Sequence, residues 1–250
     1  MTKADVEELE MVDNYLLRRI LDTPSCTPTP MLYLDLGCLP IRYIIMTRRL
    51  MYLQTLLQED TGTLLHKFYK AHFENPAKGD WVEQVEKDMK ETNIKFSVHE
   101  IRAMSKDVFR GKVMSAVRIA AFTYLCSEKA KLSKVMDVFH ESFRIQDYFH
   151  PSGIKSTEAK LLFQLRSRMV EVKINFRNKY VNLQCPICET ENDTQEHVFQ
   201  CKELLKHLNI LASSEILYYH IFHSDTSKQI AALRLFQFLF SERKKILKLD

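Results

Sequence analysis

One stretch constrains this chain more than any other: CPICETENDTQEHVFQC, seventeen residues from Cys185 in the pattern C-x2-C-x8-H-x3-C. Two cysteines separated by two residues turn both sulfurs inward on one tight knuckle, which Pro186 stiffens. His197 and Cys201 lie four apart, one turn above each other on a helix face. Asp193 and Glu196 have capping-box spacing, which predicts a helix starting just before the histidine. Three thiolates and an imidazole favour tetrahedral zinc, and a full set of four ligands implies a closed structural site. Cys185, Cys188, His197 and Cys201 are therefore expected to hold one zinc ion. The rival reading, ordinary buried cysteines beside a surface histidine, leaves the joint spacing unexplained.

Outside the cluster, Cys26, Cys38 and Cys126 are scattered. Met1–Asp13 is charged and lacks the apolar stretch of a secretory signal. That combination fits metal binding better than a disulfide framework and leads to the expectation of a nuclear or cytoplasmic protein. No apolar run reaches the ~20 residues of a membrane span.

Only five glycines punctuate 250 residues, too few for a parallel-sheet protein, and strand-like alternation is rare. The expected fold is all-α: a multi-helix bundle or array with a small CCHC zinc knuckle inserted near the C-terminus. Apolar periodicity predicts helices at Val6–Leu21, Ile41–Gln58, Leu64–Glu74, Asp80–Thr92, Val98–Met104, Lys106–Lys131, Ser156–Met169, Ser213–Phe222 and Thr226–Leu247. A broken one is predicted at Lys134–Phe149, and Gly37 should end a short helical piece. Asp80, Ser97, Ser105 and Ser156 stand at N-cap positions. Three parts are expected: a helical connector over 1–172, the knuckle over 173–206, and C-terminal helices over 207–250 packing back on the bundle. The irregular stretch Lys173–Gln184 marks the boundary.

A net charge of +4 is too small to argue for a nucleic-acid partner alone. The charge is uneven, though. Arg102–Lys134 has eight Lys/Arg against two Asp/Glu, and Lys155–Gln184 has seven against two. Lys112 lies in the first stretch, and Arg166, Arg168, Arg177 and Lys179 lie in the second. Such helices either face phosphate or are solvated faces.

Four blocks, in order, make the chain resemble the C-terminal part of non-LTR retrotransposon polyproteins, after the reverse transcriptase thumb. They are LLRRILDTPSCTPTPMLYLDLGCLPIRYIIMTRRLMYL from Leu16, NPAKGDWVEQVEKDM from Asn75, KLLFQLRSRM from Lys160, and the cysteine segment from Cys185. The common family knuckle spaces its last three ligands x7 and x4, where this chain has x8 and x3. The resemblance implies a helical connector and CCHC knuckle that hold template RNA or target DNA, with a polymerase or another protein as further partner. It places the metal role on Cys185, Cys188, His197 and Cys201. It makes Arg166 and Arg168 phosphate contacts, with Arg42, Arg48 and Arg49 as weaker ones.

The family's polymerase marks itself with an Asp-Asp pair, and this chain contains none. No fingers-palm stretch precedes Val6, and no endonuclease carboxylate cluster is evident. The expectation is a fragment or standalone remnant, a non-catalytic module for RNA or for single-stranded or duplex DNA. A competing expectation is a zinc-stapled protein-interaction scaffold in which Phe236, Phe238, Leu239 and Phe240 seat a partner. A hydrolase has no support, since no Ser/His/Asp elbow or phosphate-cradling glycine loop appears. His220 and His223 read as packing residues rather than a second metal site, and Trp81 as the anchor of a helix start.

Overall fold

The computed structural model describes residues 3–60, 62–75, 79–150, 154–210, 215–223 and 225–248. The expected helix start at Ser213 lies outside them. Among the described residues the helices are α1 Lys3–Ile20, α2 Thr29–Leu36, α3 Ile41–Gln58, α4 Leu64–Glu74, α5 Trp81–Glu91 and α6 Val98–Ala103. They continue with α7 Lys106–Ala130, α8 Ser156–Arg166, α9 Gln195–Gln200, α10 Lys202–His207, α11 Glu215–Tyr219 and α12 Thr226–Ile246. No strand forms among these residues, so the fold is all-α; Gln184 and Asn192 make one isolated antiparallel bridge.

Local chemistry explains most of the boundaries. Asp80 caps α5 by accepting the Glu83 N–H at 2.9 Å, and Ser97 forms a full capping box with Glu100. Gly37 ends α2 in the left-handed region, at φ +61°. Ser156 is not the cap of α8 but its first residue; Lys155 holds the cap position and donates its N–H to Glu158 at 2.8 Å.

Residues 134–149 form no α-helix, against the broken helix expected at Lys134–Phe149, and within them only Asp147–Phe149 makes a 3-10 turn. The segment spends its backbone elsewhere. The Val138 carbonyl accepts from Lys129, that of Phe139 accepts from Arg166, and the Gln146 N–H donates to the Asp35 carbonyl. Side-chain and backbone partners from other elements replace the helical ladder.

The chain forms two compact units, one of residues 1–13 and 38–127, the other of 14–37 and 128–250. The expected borders at 172 and 206 are not where contacts thin. In the first unit α3 packs on α4, α5 and α6. Phe109, Val113, Val117, Ala121 and Leu125 of α7 form a buried line at strict i+4 spacing. In the second unit α8, α9 and α12 share one core with α2, including Leu162, Phe163, Phe199, Leu233 and Phe236. Cys185 and Cys201 belong to that core. The cysteine segment is thus part of a larger core, not an appendage.

Candidate metal centre

The segment around Cys185 is a tight hairpin. The Cys185 N–H donates to Glu191 O at 2.7 Å, the Asp193 N–H to Leu183 O at 2.8 Å, and the Glu189 N–H back to Cys185 O at 2.9 Å. Glu189 turns the chain in the left-handed region, φ +57°. Thr194, not Asp193, caps α9, accepting the His197 N–H at 3.0 Å. Asp193 is buried instead; its Oδ2 accepts the Lys173 N–H at 2.9 Å and Arg243 Nη2 at 2.8 Å. These bonds and Lys173 Nζ to Gln184 O at 2.9 Å stitch the supposed boundary at 173–184 to the hairpin. α9 ends at Cys201, which also opens α10.

The ligand atoms of Cys185, Cys188, His197 and Cys201 all lie within 4.8 Å of one another. Cys185 Sγ and Cys201 Sγ are 3.9 Å apart, and Cys188 Sγ and His197 Nε2 are 3.3 Å apart. A disulfide needs ~2.05 Å between sulfurs. Donors around a tetrahedral ion with bonds of ~2.0–2.3 Å sit about 3.4–3.8 Å apart. The spacing therefore fits a shared cation, and closing the widest pair takes a shift of at most about 1 Å. These four side chains can hold one metal ion.

The surroundings favour thiolates. The amides of Ile187 and Cys188 face the Cys185 sulfur, those of Thr190 and Glu191 face Cys188, and that of Leu204 faces Cys201. The hydrogen bond between Cys185 and Cys201 brings Cys185 down to about 3 and pushes Cys201 far up. Hydrogen bonding to Cys185 raises His197 to about 9. Burial alone would raise Cys188, but hydrogen bonds from Thr190 and Glu191 bring it below the usual thiol value. Sequence reasoning missed Glu191, whose Oε2 accepts from His197 Nδ1 at 3.1 Å. That bond leaves Nε2 for the metal, the carboxylate–histidine–metal arrangement. A glutamate six residues before the histidine was its only signal.

The cations singled out in the sequence divide sharply. Arg166 is fully buried and is no phosphate contact: its Nε donates to Asp35 Oδ2 at 3.0 Å and its Nη1 to Ile221 O at 3.0 Å. Asp35 also accepts from His140 Nε2 and Tyr148 OH, each at 2.5 Å. Lys129 Nζ lies 3.3 Å from His140 Nδ1 and donates to it, which leaves Nε2–H for Asp35 and the imidazole neutral. Burial accordingly lowers the His140 pKa. Burial would raise Asp35, but the Arg166 charge and the His140 hydrogen bond take it far below the ordinary carboxylate value. Asp35 and His140 stand 105 residues apart, so no local pattern announces the network.

Arg168 is committed too, to Asp137 at 2.8 Å and Glu196 at 2.5 Å. Arg49 lies 3.0 Å from the buried Asp88. Lys112 is exposed, with its Nζ 4.7 Å from the Phe96 ring centroid. Arg48, in the first unit, and Arg177 and Lys179, in the second, are exposed and each lines a cleft. No protein-family model matches the chain, and searches of curated proteins and of solved structures found no match.

Proposed function

We propose that this chain is a non-catalytic nucleic-acid-binding module whose second unit is held together by one structural zinc ion. The retroelement resemblance and the donor set both support this reading. Three thiolates and one imidazole at tetrahedral spacing are a soft set that suits zinc, and four protein ligands leave no open position for chemistry.

One observation carries the nucleic-acid part. A cleft of about 550 Å3 lies in the second unit, on the segment that enters the cysteine hairpin. Lys134, Arg177 and Lys179 line it with Phe176, Asn175 and Asn178, and among the described residues no carboxylate does. Lys179 Nζ sits 5.2 Å from the Phe176 ring centroid. Cations beside an aromatic face suit single-stranded nucleic acid, with phosphates on the cations and a base on the ring.

The test is an oligonucleotide titration of the zinc-loaded chain, followed by fluorescence anisotropy at two salt concentrations. Three phosphate contacts give a log–log salt slope near −2, so affinity should fall about 20-fold between 50 and 200 mM salt. Arg177→Glu with Lys179→Glu should abolish most of that dependence. Absence of salt-sensitive binding to single-stranded RNA or DNA contradicts the reading.

A scaffold remains the second reading, on a different surface from the one expected. α12 turns Phe236 and Leu239 into the core and leaves Phe238 half-exposed. The part of α1 that belongs to the second unit exposes Tyr15, Leu16 and Ile20. An apolar face of that kind favours a protein partner.

A further inference from the structure

The first unit holds a cleft of its own, about 580 Å3, between α3 and the start of α7. Three exposed cations, Arg48, Lys106 and Arg110, line it, and no carboxylate does. Its apolar surface comes from Ile44, Met51, Met114 and the Tyr52 ring. The volume is that of a small-molecule site, and methionines adapt to flat ring systems. The N-terminal end of α7, a 25-residue helix, adds its positive dipole beside Lys106.

A second, independent feature narrows the ligand. Gln54 also lines the cleft and is only 1% exposed. Its Nε2 donates to Ile101 O at 3.3 Å and to Met104 O at 3.0 Å, which fixes the orientation of the amide. Its Oε1 is therefore a committed acceptor, buried and without a donor among the described residues. Buried acceptors are seldom left unmet, because their desolvation is not recovered. The missing partner is an N–H or O–H donor.

We propose that this cleft binds one nucleotide. Its base would lie against Met51, Tyr52 and Met114, the phosphate would meet Arg48, Lys106 and Arg110, and a shift of the adaptable Met51 or Met114 side chain would open Gln54 Oε1 to a base N–H. A fatty carboxylate satisfies the cations and the apolar wall but brings no donor for Gln54. Inorganic phosphate leaves the apolar wall bare. The proposal deepens the nucleic-acid reading by naming a base-accepting subsite. The same chemistry also fits a free mononucleotide, so the two sources are separated by experiment.

Trp81, the only tryptophan, lies edge-on to Tyr52 with ring centroids 5.8 Å apart, so its emission reports on the cleft. The full zinc-loaded chain is titrated with adenosine 5′-monophosphate, ribose 5-phosphate, inorganic phosphate and a short oligoadenylate. A saturable Trp81 change is expected with the mononucleotide, about tenfold weaker with the two base-free probes. Arg48→Glu with Arg110→Glu should weaken it about tenfold, while Arg177→Glu with Lys179→Glu leaves it unchanged. A Trp81 response to the oligoadenylate as well assigns the site to a strand; a response to the mononucleotide alone assigns it to a free nucleotide. Oligonucleotide binding by anisotropy with a silent Trp81 in every titration overturns this site and leaves the proposed function standing. A mononucleotide response without any salt-sensitive oligonucleotide binding does the reverse. Equal responses to base-free and base-bearing probes, or indifference to the Arg48/Arg110 reversal, also overturn the site.

Discussion

Two buried aspartates, one in each unit, meet an arginine in opposite ways. In the second unit, Asp35 receives Arg166, His140 and Tyr148, all as hydrogen bonds, and its pKa is driven far down. In the first unit, Asp88 has Arg49 at 3.0 Å, yet neither Arg49 Nη1 nor Asp88 Oδ2 makes a hydrogen bond. Burial outweighs the Gln84 hydrogen bond and the Arg49 charge, and the Asp88 pKa rises. Proximity of charge is thus not what makes a buried pair worth keeping. Donors aimed at every lone pair are, and without them desolvation wins. The second unit relies on such polar staples, at Asp35 and again where Arg243 meets Asp193. The first relies on long apolar helix faces.

The comparison is sharpened first by removing the metal. Chelation, or Cys188→Ser, should strip hydrogen-exchange protection from residues 183–206 while α3 and α7 keep theirs. None of residues 186–192 is buried, so the turn that carries Cys188 cannot hold on apolar burial alone, and structural zinc in isolated knuckles contributes on the order of 10 kcal/mol. Unchanged protection across 183–206 would break the contrast.

Arg166→Ala should cost about 3–5 kcal/mol in denaturant unfolding, because it strands a buried carboxylate. Asp88→Asn in the first unit, which removes a charge that burial disfavours, should cost under about 1 kcal/mol or stabilise slightly. Equal costs would refute the distinction.

Gly37→Ala should cost about 2–4 kcal/mol. Its φ is +61°, and an added Cβ would clash with the backbone of Arg144 and Ile145. Gly79→Ala has the same backbone problem, φ +82°, but no described residue lies within 4 Å of the Cβ, so about 1 kcal/mol is expected.

The smallest effect is a difference in pH slope. His140 stays neutral in the fold while the unfolded chain protonates near the ordinary value of 6.5, so stability of the second unit falls as pH drops below that. Asp35, lowered in the fold, adds a further loss below pH ~4, where the unfolded carboxylate takes up its proton. Asp88 is raised above 3.8, so its penalty disappears as pH falls through its folded value. Exchange protection of α12 should therefore fall with acidification relative to that of α7, and Asp35→Asn should remove the part of the loss below pH ~4.

Helices and caps were readable where local chemistry decides them. Asp80 and Ser97 cap as their spacing predicts, and Gly37 ends α2. The four ligands come together because C-x2-C turns and one-turn helix spacing are short-range geometry. What the sequence hid is long-range. Arg166 looks like any basic residue in LRSRM until Asp35, 131 residues away, is placed against it. Asp193 mimics a helix cap because its real partners are Lys173 and Arg243. Lys134–Phe149 has helical periodicity, but tertiary donors claim the Val138 and Phe139 carbonyls. The clefts likewise take cations from segments that no one-dimensional window joins, such as Lys134 with Arg177.

Native mass spectrometry of the full chain, purified with zinc and sprayed with and without chelator, bears most directly on the metal centre. One zinc ion per chain is expected at neutral pH, lost with chelator and absent from Cys188→Ser. A chain that carries no zinc, or that retains it undiminished after Cys188 is replaced, contradicts the account.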